Sequence, residues 1–112
     1  MKRALYRTIG LAVLGSAALS ATAAWSQGPG NPVAGESLAL SVCTNCHLVR
    51  EGQRQPPMDS VPSFAALANN PAMSETRLRG FLSRPHFPMP SIELSNRQID
   101  DLVAYIQSRR GR

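Results

Sequence analysis

Apolar positions recur at helical spacing in three stretches of the chain. Ala34, Leu38, Val42 and Cys46 stand four residues apart, which predicts a helix from about Val33 to Cys46. Ser74 is a suitable N-cap, and behind it Leu78, Phe81 and Leu82 form an i, i+3, i+4 face that stops before Pro85. The last stretch is the clearest. Ser95 and Gln98 have the spacing of a capping box, and Ile99, Leu102, Val103 and Ile106 form one apolar stripe with Tyr105 at its edge. Asn96, Arg97, Asp100 and Gln107 fall on the face expected to meet water. Arg109, Arg110 and Gly111 end the pattern, with cations at the negative end of the helix dipole. Between these stretches, Gly52, Pro56, Pro57 and Pro62 make Leu48 to Pro62 a long loop. Phe64 to Ala68 is a short helix at most, ended by Asn69-Asn70-Pro71, and Pro85, Pro88 and Pro90 keep Arg84 to Pro90 extended. Strand alternation and internal repeats are absent from the pattern. It predicts an all-α domain with long loops.

The first residues follow a different rule. Lys2, Arg3 and Arg7 precede an uncharged run from Ile9 to Leu19, and small residues Ser20 to Ala24 follow. These are the three regions of an export signal. We therefore expect a signal peptide over 1–26, cleaved after Ala23, Ala24 or Ser26, then a flexible Gly/Pro/Asn linker over 27–32 and one domain over 33–112. The apolar run is short for a membrane span, so an uncleaved anchor is the lesser reading. Export implies the periplasm. Removing 26 of 112 residues leaves 86, a size that buries only a modest core on its own.

Charge changes meaning with this segment. The full chain carries +5, which alone suggests a nucleic-acid or anionic-membrane partner. Three of the 12 basic residues leave with the signal, so nine face seven acidic ones and the domain carries +2. No nucleic-acid partner and no membrane span in the mature form are expected. Any basic steering surface has to come from local arginines such as Arg77, Arg79 and Arg84.

The chemistry sits in Cys43-Thr44-Asn45-Cys46-His47, a C-x-x-C-H pattern. Two thiols three positions apart lie within one helical turn. They are spaced to form thioethers to one edge of a single porphyrin, and the next residue offers an imidazole to its iron. Three other uses compete. A zinc site from Cys43, Cys46, His47 and His86 has suitable ligand types, but Cys46 and His47 are adjacent, which suits tetrahedral closure poorly. A thioredoxin-like redox pair would want a βαβ context, and a plain disulfide would suit an exported chain. The haem c reading also supplies the core that a short chain lacks.

One motif implies one haem, with His47 on one side of the iron. Candidates for the other side are Met58, Met73, His86 and Met89. Met58 lies in the same loop as the attachment motif, and Met73 just precedes a helix. Met89 stands between Pro88 and Pro90, which stiffen the backbone and reduce the entropy lost on fixing a thioether. His86 is its rival in the same loop, because imidazole also binds haem iron well.

At this point the sequence resembles the short bacterial class I c-type cytochromes, from about Pro32 to Arg110. Gly35 stands eight residues before Cys43, where that family has a glycine that lets its first and last helices cross closely. Leu102-Val103-Ala104-Tyr105-Ile106 matches the run of the family's last helix, and Met89 matches its ligand methionine in position and order. Ala39 departs from the aromatic found there in many members. The resemblance implies a cytochrome c fold, three to four helices wrapped around one covalently attached haem, with thioethers at Cys43 and Cys46 and axial ligands His47 and Met89. It also implies a proline carbonyl that holds the other ring nitrogen of His47, with Pro56, Pro57 and Pro62 as the choices. A tryptophan often contacts a haem propionate; Trp25, if retained, or else Arg50 or Arg54 would stand in that place.

The function implied is electron transfer by a monohaem periplasmic protein that is not an enzyme, since two axial ligands leave no open position for substrate. Its expected partners are redox proteins: a donor dehydrogenase or quinol-oxidising complex and an acceptor oxidase or reductase. Phe87 and Ile92, beside Met89, are candidates for that contact or for packing on the haem. The alternative is a dedicated cytochrome subunit of an oxidoreductase, such as a sulfite or alcohol dehydrogenase. A haem-based gas sensor is a third class, and it would need a labile or missing second axial ligand.

Overall fold

The computed structural model describes residues 29–54, 58–84 and 86–112. The expected export signal therefore lies outside the described residues, as do Trp25, Pro56 and Pro57. Among the described residues there are four helices: α1 (Pro32–Val42), α2 (Phe64–Asn69), α3 (Glu75–Leu82) and α4 (Asn96–Ser108). No strand occurs among the described residues. No helix among them is long and apolar enough to cross a membrane.

Each helix starts where its side chains can satisfy the free N–H groups of the first turn. Ser63, Ser74 and Ser95 cap α2, α3 and α4 through their hydroxyls. The capping box of α4 is complete, with Ser95 N–H donating to Gln98 Oε1 and Gln98 N–H to Ser95 Oγ. The start of α1 differs from the expected linker. Asn31 accepts from Val33 and Ala34 N–H, and Pro32 takes the first helical position, where its missing N–H costs nothing. Asn31 N–H also donates to Asp101 Oδ1 at 2.7 Å. From Gly30 on, the segment read as flexible is thus tied to α4. At its other end α1 stops at Val42 rather than Cys46, and Cys43 is the C-cap.

The buried face of α1 is displaced by one residue from the expected stripe. Gly35 and Ala39, not Ala34 and Leu38, lie deepest, and Ala39 is fully covered. The reason is a close crossing of α1 over α4. A Cβ at Gly35 would overlap the Asp101 carbonyl and stand 2.8 Å from Tyr105 Cβ, and one at Gly30 would overlap the Asp100 carbonyl. Small residues are required at the crossing, although they carry little hydrophobic signal.

Helix α4 is the hub. Helices α1, α2 and α3 each pack on it and, among the described residues, not on one another. Its stripe of Ile99, Leu102, Val103 and Ile106 is buried as expected, and Tyr105 is buried with it rather than at an edge. Asp100 corrects the expected solvent face: it is buried and paired with Arg79 of α3, which also bonds Glu75 at 3.0 Å. Arg79 is consequently engaged in the fold and is not a free steering charge. Asp101 is also buried, with Arg97 at 3.2 Å and the Asn31 N–H as partners. Among the described residues no buried side-chain polar atom lacks a hydrogen-bond partner.

Candidate functional site

Beyond α1 the chain coils through Cys43 to Cys46 in tight turns. Cys46 N–H donates to Cys43 O at 3.2 Å and His47 N–H to the same carbonyl at 2.9 Å. This carries both cysteines and His47 onto the wall of one cavity of about 380 Å³. The two thiols are not joined as a disulfide. Burial, with a smaller contribution from neighbouring Cys46, pushes the Cys43 thiol up to about 11.

The imidazole of His47 is oriented by a backbone carbonyl. Its Nδ1 lies 2.7 Å from Pro62 O. A carbonyl can only accept, so Nδ1 carries the proton and Nε2 keeps its lone pair for a metal. Among the three prolines considered, Pro62 thus has the described carbonyl contact. Phe64 meets the ring edge-on at 5.5 Å, and Tyr105 stands 6.1 Å beyond Phe64. Where Ala39 lacks the family's aromatic, Phe64 supplies the partner for Tyr105. Local pattern places Phe64 only in a short helix, and its contact with Tyr105 forms across the fold.

All four helices contribute to the cavity wall, including Val42, Phe64, Leu67, Leu78, Leu82 and Ile106. The second-ligand candidates Met58, Met73, His86 and Met89 line it too. His86 already has neighbours of its own: its ring stacks edge-on with Phe81 at 5.1 Å, and its Nδ1 lies 3.4 Å from Arg84 O. Ile92 lines the wall and is half-buried, whereas Phe87 reaches the cavity while 98% exposed. Arg50 and Arg54 are exposed.

This donor set fits a covalent haem. Two thiols, a correctly tautomerised imidazole and thioethers surround an apolar space on which helices from every part of the domain converge. The zinc alternative needs His86 to close on Cys43, Cys46 and His47, yet no group of three or more His, Cys, Asp or Glu able to hold a metal forms among the described residues.

Comparison with known proteins agrees. The cytochrome c family model matches residues 32–110. The chain is 45% identical over 76 residues to cytochrome c-552 of Bradyrhizobium diazoefficiens, a match covering 68% of this chain and 72% of that protein. No solved structure gives a significant match. The single C-x-x-C-H, the cavity it lines and the family match over nearly the whole helical domain agree that the chain belongs to the cytochrome c family, as a monohaem electron-transfer protein carrying one covalently attached haem c.

Proposed function

We propose that the protein carries electrons in the periplasm with its iron held between His47 and Met89. The observation that carries this reading is the placement of Cys43, Cys46, His47 and Met89 on one apolar cavity, with the His47 ring set by Pro62. Bound haem supplies a one-electron Fe(II)/Fe(III) couple. Cys43 and Cys46 anchor it, and His47 donates through Nε2 while Pro62 fixes the ring and raises its basicity. Two arguments support Met89 over His86. Pro88 and Pro90 restrict the backbone around the thioether, and His86 is engaged by Phe81 and Arg84. A methionine opposite histidine raises the potential.

Export rests on the residues of the signal pattern over 1–26. The partners are redox proteins that give and take single electrons at the cavity mouth. Phe87, exposed beside Met89, is the apolar residue best placed to meet them.

The test of ligation is optical. The oxidised holoprotein should show a weak sulfur-to-iron charge-transfer band at the red edge of its spectrum. Met89→Ala should abolish it, and His86→Ala should leave it unchanged. A band that persists in Met89→Ala would overturn the assignment.

A further inference from the structure

We propose that Gln53 is a positioning residue for His47, a role that rests on His47 being an axial ligand. Gln53 closes a turn in which its own N–H donates to Arg50 O at 3.4 Å. The turn has Gly52 at φ +73°, the left-handed region that a third turn position of this kind requires. It returns the Gln53 side chain onto the segment just after the attachment motif. There both ends of the amide are used. Nε2 donates to His47 O at 2.9 Å, and Oε1 accepts from Val49 N–H at 3.0 Å.

The remaining bonds of this segment come from elsewhere in the fold. Phe64 N–H donates to Leu48 O at 3.0 Å, and Tyr105 O–H to Val49 O at 3.1 Å. Those bonds hold Leu48 and Val49. Gln53 is the side chain that grips the backbone of His47 itself. The imidazole is fixed on its other side by Pro62 at 2.7 Å. On its N–H side the His47 backbone is held by Cys43 O at 2.9 Å, so the amide adds the restraint on its carbonyl side, and without it the ring could shift about the Pro62 bond. The turn needs no contact with the cavity to do this, and Gln53 does not line it.

The consequence for the iron has a sign. The bond from Nδ1–H to Pro62 O makes the imidazole a stronger donor, which favours the ferric state. Loosening His47 weakens that bond and favours the ferrous state.

The experiment compares holoprotein variants Gln53→Leu and Gln53→Glu with Ser95→Ala. Gln53→Leu removes both bonds. Gln53→Glu keeps an acceptor for Val49 N–H and removes the donor to His47 O. Ser95→Ala weakens the cap of α4, away from His47. Gln53→Leu should raise the reduction potential, alter the low-spin ferric resonance and speed exchange of the Val49 amide by up to about tenfold. Gln53→Glu should also raise the potential while leaving Val49 exchange nearer the parent. Ser95→Ala should lower the melting temperature without moving the potential or the resonance.

If Gln53→Leu does not fold, Gln53→Glu carries the test. An unmoved potential and resonance in Gln53→Glu, in a parent with intact His47 ligation, would overturn the role of Gln53 alone. A parent whose ferric resonance lacks histidine ligation would instead overturn the ligand assignment.

Discussion

Tyr105 shows how one residue ties the helix core to the attachment segment. Its ring packs by Phe64, its hydroxyl donates to Val49 O at 3.1 Å, and Arg109 lies 5.7 Å over its face. Burial, then the charge of Glu36, raises its pKa above the usual value, against smaller opposing effects of Arg109 and Arg50. The phenol of the unfolded chain ionises first, near about 10. Its contribution to stability is therefore complete below that pH and is lost as pH rises through the folded value. Beyond residue 26 the chain has no lysine and no other tyrosine, and a free Cys43 thiol, also held up by burial, would be the other group of this window. Urea midpoints at pH 8 and pH 10.5 should fall less in Tyr105→Phe than in the parent. Equal falls would contradict the assignment. At pH 8 the variant should be less stable by about 1 kcal/mol, because Val49 O loses its partner. At this scale the cysteines and His47 were legible because their chemistry is fixed by adjacent positions. Pro62 and Gln53 were not, since three prolines stood at comparable distance and only the folded loop brings a carbonyl to Nδ1. Gly52 before Gln53 was the available hint of a returning turn.

At the scale of elements, the starts of α3 and α4 could be read because capping is local: a serine and the N–H groups two or three residues on decide it. The buried face of α1 could not, because it is set by what α4 presents. Gly35 and Ala39 are deepest since the two backbones nearly touch there. Asp100 was misplaced for the same reason: its partner Arg79 lies on another helix, where local spacing gives no sign of it. The crossing gives a direct test. Gly35→Ala has nowhere to place its methyl without separating α1 from α4, an overpacking that costs about 1–3 kcal/mol or more. Chemical denaturation of the holoprotein should show that loss. A variant as stable as the parent would contradict the crossing as described, because helix propensity alone favours alanine by about 1 kcal/mol.

At the scale of the whole molecule, the organisation explains the short chain. Among the described residues three helices lean on α4 and not on one another, and the space between them is the cavity that carries the attachment motif. A porphyrin there replaces the helix-to-helix packing that a domain this small cannot build from side chains. The fold and the cofactor are therefore one structure, and the thioethers proposed at Cys43 and Cys46 would keep it assembled through each redox cycle. The most direct measurement is the intact mass of the purified holoprotein after full denaturation, read beside its pyridine haemochrome spectrum. The expected result is the polypeptide plus one haem, with a haem c spectrum, and loss of that added mass when Cys43 and Cys46 are both replaced by alanine. A bare polypeptide, or one lighter by the two hydrogens of a disulfide, would contradict the account.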